Sequence, residues 1–399
     1  MPNEKEKEML LFIIYLAFIS LGLPDSLLGS AWPTIYRQFN VPVSYMGFVS
    51  MIISFCTIIS ALMSDRLTKK LGTGKITALS TALTAVGLFG FSFSSQYWML
   101  CLWALPYGLG AGSIDAALNN FVALHFKSRH MSWLHCMWGI GASFGPYVMS
   151  YCITKHDSWN MGYATIGIIQ SVLTFVIIIS LPLWNKRSEE DGTDDGAKSS
   201  NRKALSIKEI LAIPGAKEIL ITFFCYCAVE QTAGQWAASY LTIFKDVPAA
   251  TAASFASLFY IGITVGRAFS GFLTIRFNDT QMIHIGQGII ALGIILLFLP
   301  LGDIVSLAGL IIIGLGCAPI YPCVIHSTPS LFGADKSQAV IGVQMAAAYV
   351  GTTLMPSLFG LLANHISFAL FPFYLGIILV LMIVMYMNVI KKTGSTVSE

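Results

Sequence analysis

Apolar residues occur along this chain in stretches of about 20 residues, with short polar breaks between them. A helix needs about 20 consecutive apolar residues to cross the roughly 30 Å of hydrocarbon in a bilayer. The pattern therefore indicates an all-α membrane protein. It predicts twelve transmembrane helices, at residues 9–31, 44–64, 75–95, 97–124, 131–153, 162–183, 216–243, 250–275, 281–300, 303–331, 336–362 and 366–390.

The longest polar interruption, residues 184–215, divides the twelve predicted helices six from six. It contains the acidic run from Ser188 to Gly196 and has too little apolar surface to fold alone. We therefore predict an N-terminal six-helix bundle at 1–183, a linker at 184–215 and a C-terminal six-helix bundle at 216–399.

Composition agrees with a polytopic membrane protein. Hydrophobic residues make up 55% of the 399 positions and charged residues 11%, whereas soluble domains carry about 25% charged residues. The net charge of +3 is too small to indicate a partner, and we expect no nucleic-acid binding. All eight cysteines fall within predicted spans, which argues against a disulfide framework or a metal site.

The basic residues lie mainly on one side of the predicted bundle. If both termini share a side, that side holds 19 of the 23 Lys and Arg residues. The opposite loops hold Arg37, Lys155 and Lys245, and Arg267 lies within a helix. Because cytoplasmic loops carry an excess of Lys and Arg, we expect both termini and the linker to be cytoplasmic and the protein to lie in the cytoplasmic (inner) membrane.

The two halves share sequence features. Gly-Leu-Gly-Ala-Gly at 108–112 in the fourth predicted helix recurs as Gly-Leu-Gly-Cys-Ala at 314–318 in the tenth, and Asp25 aligns with Glu230 at nearly the same offset. A Gly and a Pro in the fifth helix also match such a pair in the eleventh. This pattern indicates a duplication, which in transporters of this kind places the substrate site between the halves near the bilayer midplane.

Three carboxylates, Asp25, Asp115 and Glu230, lie inside the predicted spans. An acid at mid-membrane depth costs roughly 2.5 to 3.5 kcal/mol on insertion scales. Such an acid usually faces a polar cavity and handles an ion, a proton or a polar solute. The acids therefore indicate a transporter.

Asp25 follows Pro24, where a helix tends to kink and to free backbone carbonyls for use in a cavity. We expect a proton-binding or substrate-binding role for Asp25, and the alternative is a structural acid at a helix break. Asp115 and Asn119 are four residues apart and share a helix face, where they offer an acid and an amide to sugar hydroxyls. A structural polar pair between helices is the alternative.

The seventh predicted helix carries a polar stripe that consists of Glu230, Gln231, Gln235 and Trp236. Amides and carboxylates beside an aromatic ring suit a sugar, since its C–H face stacks while its hydroxyls need directional partners. The alternative for Trp236 is an anchor at the membrane interface.

Four further residues on apolar helices are candidates. Arg267 is expected to neutralise a buried acid or to bind a substrate oxygen, and the alternative is a side chain that extends to the interface. His135 and Trp138 are three residues apart and are expected to face one cavity wall, although a histidine bonded in a helix interface is the alternative. His326 is a weaker candidate.

The loop Ser64–Gly72 resembles the signature loop of the major facilitator superfamily, with Ser64 in place of its usual first Gly. Four further stretches resemble the fucose permease (fucose:proton symporter) branch of that superfamily: Gly108–Val122, Leu134–Pro146, Val229–Leu241 and Gly266–Gly271.

The resemblance implies the major facilitator fold, with twelve transmembrane helices as two pseudo-symmetric six-helix bundles. It also implies that two membrane acids, which Asp25 and Asp115 match in placement, serve substrate recognition and proton coupling. The family often has Glu at the position of Asp115, so the division of roles between the acids stays open. In the signature loop, Asp65 and Arg66 are expected to form a cytoplasmic gate.

No enzyme motif occurs in the chain. We find no Gly-x-x-x-x-Gly-Lys phosphate loop, no His-Glu-x-x-His and no nucleophile elbow, so we expect no enzyme activity, no cofactor and no pumping driven by ATP. The sequence predicts a monomeric secondary transporter that takes up a hexose-like sugar with protons by alternating access. The alternatives are a drug or metabolite exporter, a carrier that uses Na⁺ or no ion, and a nutrient sensor.

Overall fold

The computed structural model describes residues 4–25, 27–42, 45–190, 205–247, 249–299 and 301–394. The chain forms two compact units, each described separately below. The first comprises Met1–Phe121 and Leu134–Leu205, and the second comprises Val122–Trp133 and Ser206–Glu399. Residues 191–204 of the predicted linker lie outside the described residues.

The described residues are almost entirely helical, and each of the twelve predicted segments contains a helix. The helices are α1 (Glu4–Gly22), α2 (Leu27–Gln38), α3 (Met46–Leu71), α4 (Thr73–Ser92), α5 (Tyr97–His125), α6 (Ser128–His156), α7 (Trp159–Glu190), α8 (Ile207–Ala212), α9 (Ala216–Phe244), α10 (Ala249–Leu273), α11 (Asp279–Phe298), α12 (Asp303–Phe332), α13 (Ala334–His365) and α14 (Phe371–Gly394). The all-α prediction is confirmed.

Eight helical segments in the described part of the chain are long and apolar enough to cross a membrane. The helices α5, α6 and α9 are not among these eight. They carry most of the polar residues that the sequence indicates as candidates for a site, and those residues lower their mean hydropathy. The linker prediction missed α8, which begins with a capping box between Ser206 and Glu209.

The first predicted helix is broken into α1 and α2. Pro24 has no N–H to donate to the Ser20 carbonyl, and a turn follows in which the Asp25 amide donates to the Gly22 carbonyl at 3.2 Å. The amide of Leu27 donates to the Pro24 carbonyl at 3.1 Å, and α2 begins there. The sequence predicted a kink inside one helix, whereas the structure has two helices with Asp25 in the turn between them.

Glycines allow α1 and α6 to pack with their backbones in contact. A Cβ atom at Gly22 would overlap the Trp138 carbonyl, and one at Gly141 would overlap the Ile19 carbonyl. A Cβ atom at Gly145 would likewise overlap the Leu23 carbonyl. This close packing holds the turn that contains Asp25 against α6.

The glycine motif that recurs in the sequence makes equivalent contacts within each unit. In the first unit, a Cβ atom at Gly108 or Gly110 of α5 would overlap a carbonyl of α3 or α4, from Ile53 and Ser80 respectively. In the second unit, Gly314 and Gly316 of α12 stand in the same relation to α10 and α11, through the carbonyls of Phe259 and Gly286. Each contacted residue is displaced along the chain by the same offset as the motif. The two bundles are therefore pseudo-symmetric, as predicted.

Segment 122–133 is held to α11 and α12 of the second unit by His326. Its Nδ1 lies 2.6 Å from Asp279 Oδ2, and its Nε2 lies 3.1 Å from the Phe126 carbonyl oxygen. Ser128 donates to the other Asp279 oxygen at 2.5 Å. A carbonyl oxygen only accepts, so His326 Nε2 carries a proton. A second proton lies between His326 Nδ1 and Asp279 Oδ2. The His326 ring, the Asp279 carboxylate, the Ser128 hydroxyl and the Phe126 carbonyl are therefore joined in one hydrogen-bond network.

We expect His326→Gln to loosen segment 122–133, because a glutamine side chain cannot donate in both directions. Cys323 is buried and its sulfur lies 4.0 Å from Ser128 Oγ, so it reports on this contact. Its reaction with a maleimide, measured for each cysteine of the native chain by peptide mass spectrometry, should accelerate severalfold in the variant. Cys317, also buried on α12, should be unaffected. Equal labelling of Cys323 in both proteins would show that His326 does not hold the segment.

Candidate functional site

Asp25 and Trp138 form the first part of the site in the first unit. The indole Nε1 of Trp138 donates to Asp25 Oδ2 at 2.9 Å. Asp25 is exposed and Trp138 is half-buried, so both remain accessible on one side. The break between α1 and α2 presents the carboxylate, and the glycine contacts with α6 bring the indole to it.

Asp115, Asn119 and His135 form the second part. Asn119 Nδ2 donates to Asp115 Oδ1 at 2.8 Å, as the four-residue spacing predicted. Its Oδ1 lies 3.0 Å from His135 Nε2, which must be the donor because an amide oxygen only accepts. The His135 ring contacts Phe18 edge to face, with centroids 5.4 Å apart. A row of carboxylate, amide and imidazole therefore runs from half-buried Asp115 to buried His135.

These two parts belong to one site in the first unit. His135 and Trp138 lie three residues apart on α6, so their side chains share one face of that helix. His135 and Trp138 on α6 each bond to one of the two parts. The structure thus brings together Asp25, Asp115, Asn119, His135 and Trp138.

Glu230 lies in a different kind of site, in the second unit. Its Oε2 accepts a hydrogen bond from the Tyr226 hydroxyl and lies 3.5 Å from Arg267 Nη2. The Arg267 guanidinium also lies 5.9 Å from the centre of the Tyr321 ring. Glu230 is 8% exposed and Arg267 is 3% exposed, so the two charges are buried together. Arg267 therefore neutralises a buried acid and does not extend to the interface.

The other residues of the predicted polar stripe on α9 do not join the Glu230 and Arg267 pair. Trp236 Nε1 donates to the Pro356 carbonyl at 2.8 Å, and its ring packs against Phe359 and Phe368. Its polar atom is therefore used in packing between α9 and α13. Gln231 is half-buried and Gln235 is exposed.

Asp65 and Arg66 lie near the C-terminal end of α3. Asp65 is buried and accepts a hydrogen bond from Lys69 at 2.9 Å, whereas Arg66 is exposed. Their role as a cytoplasmic gate stays a prediction.

Sequence reasoning missed several polar residues at these sites. Tyr226 lies one helical turn before Glu230, a spacing that could have identified it. Tyr107 and Gln170, near Asp25, lie on helices other than that of Asp25, and nothing in their local sequence links them to it.

We expect Glu230→Gln to reduce stability by about 3–5 kcal/mol, because it leaves the buried Arg267 cation without its counter-charge. The thermal unfolding midpoint of the purified protein in detergent measures this loss. Asp25→Asn is the matched control: it also removes one negative charge, but the partner of Asp25 is a neutral indole, so a much smaller loss is expected. Glu230→Gln combined with Arg267→Met should recover part of the stability. Equal losses for Glu230→Gln and Asp25→Asn would contradict this account of the pair.

Comparisons with known proteins identify the family. The sequence profile of the Major Facilitator Superfamily matches residues 14–323 and 240–398. Bypass of stop codon protein 6 of Saccharomyces cerevisiae is 23% identical over 390 residues, which cover 89% of this chain and 77% of that protein. The glucose/mannose transporter GlcP of Bacillus subtilis is 21% identical over 358 residues, which cover 88% of this chain and 87% of that protein.

Solved structures of transporters share the fold. The proton:xylose symporter XylE has a TM-score of 0.79 and 11% identity, with 97% of this chain and 96% of that chain covered. The Escherichia coli fucose:proton symporter FucP has a TM-score of 0.70 and 15% identity, with 94% and 98% covered. The human organic anion transporter MFSD10 has a TM-score of 0.75 and 12% identity, with 96% and 100% covered.

The predicted resemblance to the fucose permease branch is therefore confirmed in the fold. Because the family profile covers nearly the whole chain and the helical architecture agrees with it, this multi-pass membrane protein belongs to the Major Facilitator Superfamily.

Proposed function

We propose that the protein is a proton-coupled symporter that takes up a hexose-like sugar across the cytoplasmic membrane by alternating access. The observation that carries this proposal is a contrast between two acids at equivalent positions of the two halves. Glu230 has a buried guanidinium as its partner, whereas Asp25 is bonded by a neutral indole N–H and is exposed.

This contrast suits a division of roles between the halves. The carboxylate of Glu230 balances the buried charge of Arg267, and its loss would leave the cation alone in a medium of low dielectric, so this pair suits a structural role. A carboxylate with a neutral donor can be protonated without leaving an unpaired charge behind. Asp25 is therefore our candidate for the group that binds the coupled proton.

Proton coupling follows from electrostatics in this scheme. Asp25 takes up a proton from the outside, the sugar binds beside it, and the two bundles reorient about the site. The loaded carrier then reorients without an unpaired carboxylate at the depth of the hydrocarbon, where such a charge would be costly. Release of sugar and proton inside completes the transfer.

The other residues of the first unit suit a sugar. Half-buried Asp115 offers carboxylate oxygens to sugar hydroxyls, and buried Asn119 holds Asp115 in place through its amide nitrogen. The half-buried Trp138 ring offers an aromatic face for the C–H surface of a sugar ring. Trp138 suits this stacking role better than Trp236, whose ring packs against Phe359 and Phe368. Names of related proteins agree: one relative is a glucose/mannose transporter, and two structural neighbours are symporters of xylose and fucose.

The same observations favour sugar uptake over drug export. An exporter of lipophilic compounds is expected to have a site dominated by aromatic and Met side chains, whereas carboxylates, an amide and an imidazole dominate this one. We also propose that the protein works as a monomer. The cytoplasmic location of both termini remains inferred from the distribution of basic residues.

We expect Asp25→Asn to abolish accumulation of sugar driven by a proton gradient while sugar exchange at equilibrium persists. Asparagine keeps an acceptor for Trp138 but cannot bind and release the proton. Asp115→Asn should instead raise the KM for sugar, because it changes a group that contacts hydroxyls. The measurement is uptake of a panel of labelled hexoses into proteoliposomes, with and without an imposed gradient.

The control for these variants is Asp303→Asn, an exposed acid at the start of α12 that should leave both activities unchanged. Wild-type uptake that ignores an imposed proton gradient would exclude proton symport. Accumulation that survives in Asp25→Asn would exclude Asp25 as the proton-binding group. Efflux of lipophilic cations that hexoses do not inhibit would instead support the exporter.

A further inference from the structure

A buried polar pair joins two helices in each unit. In the first unit, His135 Nε2 on α6 lies 3.0 Å from Asn119 Oδ1 on α5. In the second unit, the Thr328 hydroxyl on α12 donates to Gln344 Oε1 on α13 at 3.1 Å. Each of these four side chains is at most 4% exposed. In both pairs, an amide oxygen of a side chain is therefore the buried acceptor between two helices.

The two amides differ in the hydrogen bonds of their nitrogen atoms. Asn119 Nδ2 donates to Asp115 twice, to Oδ1 at 2.8 Å and to the backbone carbonyl at 2.9 Å. Gln344 Nε2 forms no hydrogen bond among the described residues. The contact in the first unit is therefore connected to an acid of the proposed site, whereas the contact in the second unit ends at the amide.

His135 holds Asn119 in a single orientation. Because an amide oxygen only accepts, His135 Nε2 carries the proton, and Asn119 turns its oxygen to the ring and its nitrogen to Asp115. A half turn of the amide would bring two N–H donors together at His135 and bring oxygens together at Asp115. Without the imidazole N–H, the Asn119 oxygen would be a buried acceptor that has lost its donor, which is costly. The side chain would then rotate toward another donor, and its bonds with Asp115 would weaken.

The His135 ring is too buried to contact a substrate in the way that half-buried Asp115 can. Buried Phe18 packs against the ring edge to face and fixes its position. The row of imidazole, amide and carboxylate is thus anchored at its buried end. His135 therefore acts on the site through Asn119 and Asp115.

We propose that His135 is a positioning residue that sets sugar selectivity by fixing the direction in which the Asp115 carboxylate accepts hydrogen bonds. The inference rests on the proposed function, in which Asp115 binds sugar hydroxyls. Epimeric hexoses differ only in the direction of one hydroxyl group. A carboxylate held in one orientation favours the epimer whose hydroxyl points at it, whereas a carboxylate that can rotate adapts to both epimers.

His135→Leu tests this role, because leucine removes the N–H and keeps an apolar side chain against Phe18. In proteoliposomes, equilibrium exchange of labelled hexoses gives a KM for each epimer and needs no ion gradient. We expect the KM of the preferred hexose to rise by at least about fivefold, as for a buried group that loses its partner, with kcat close to that of the wild type. The ratio of kcat/KM between that hexose and its disfavoured epimer should fall by a similar factor.

Two further variants separate positioning from a general loss of structure. His135→Gln keeps a donor at nearly the same place, and it should restore most of the affinity and selectivity. Thr328→Val is the matched control, since it also leaves a buried amide oxygen, that of Gln344, without its donor. It should lower the thermal unfolding midpoint to a similar degree while KM and selectivity stay those of the wild type. His135→Met also lacks the N–H and replaces His135→Leu if the leucine variant does not fold.

A double-mutant cycle tests the connection to Asp115. Once Asp115→Ala has removed the carboxylate, Asn119 has no side-chain acid left to orient, so the addition of His135→Leu should raise the KM no further. Increases in KM that multiply in the double variant would show that His135 acts elsewhere, and they would overturn the proposal. The same changes in Thr328→Val as in His135→Leu would also overturn it.

The outcomes separate this inference from the proposed function. A wild type that exchanges no hexose would refute the proposed sugar transport and the positioning role with it. A wild type that exchanges hexoses selectively, with His135→Leu equally selective and of equal KM, would leave sugar transport standing and refute the role of His135 alone.

Discussion

The missing N–H of Pro24 shapes the site more than any other single feature. Inside a membrane protein, backbone and side-chain polar groups must find partners within the protein, because hydrocarbon offers none. Pro24 ends α1, frees the Ser20 carbonyl for Gln170, and leaves Asp25 in a turn where Trp138 can reach it. The position of the carboxylate and its contact with a neutral donor both depend on this break.

The two units bond the acids within their helical segments in different ways, although their helices pack by the same glycine contacts. Duplication fixes the architecture, since Gly108 and Gly314 each allow a neighbouring helix to approach in the same manner. The side chains on that architecture have diverged. The second unit has a closed ion pair of Glu230 and Arg267, and the first has acids bonded to an indole and an amide. One unit thus has a fixed charge pair, and the other has groups suited to exchange protons and to bind hydroxyls.

Much of the fold followed from the sequence because a segment that crosses a bilayer must be apolar, about 20 residues long and hydrogen-bonded within itself. Helices of that length and composition meet these requirements, so the twelve apolar stretches predicted the helices well. Local spacing also predicted the contact between Asp115 and Asn119, because residues four apart in a helix are neighbours whatever surrounds them. A distortion at Pro24 and the duplication were visible in the sequence for similar reasons, since a missing N–H and a repeated motif are properties of the chain itself, although the sequence predicted a kink and not the full break.

Contacts between distant segments were decided only by the tertiary structure. Before the structure, Arg267 had two candidate roles and an alternative, and Trp236 was a candidate to stack on a sugar. In the folded structure Arg267 pairs with Glu230, the Trp236 indole donates to the Pro356 carbonyl, and the Trp138 indole donates to Asp25. A small cavity beside Asp25, lined by Tyr107 and Gln170, has no signature in the sequence, because its walls come from four helices whose faces meet only after folding. Periodicity specifies which residues share one helix face, but the partner of that face depends on how the helices pack together.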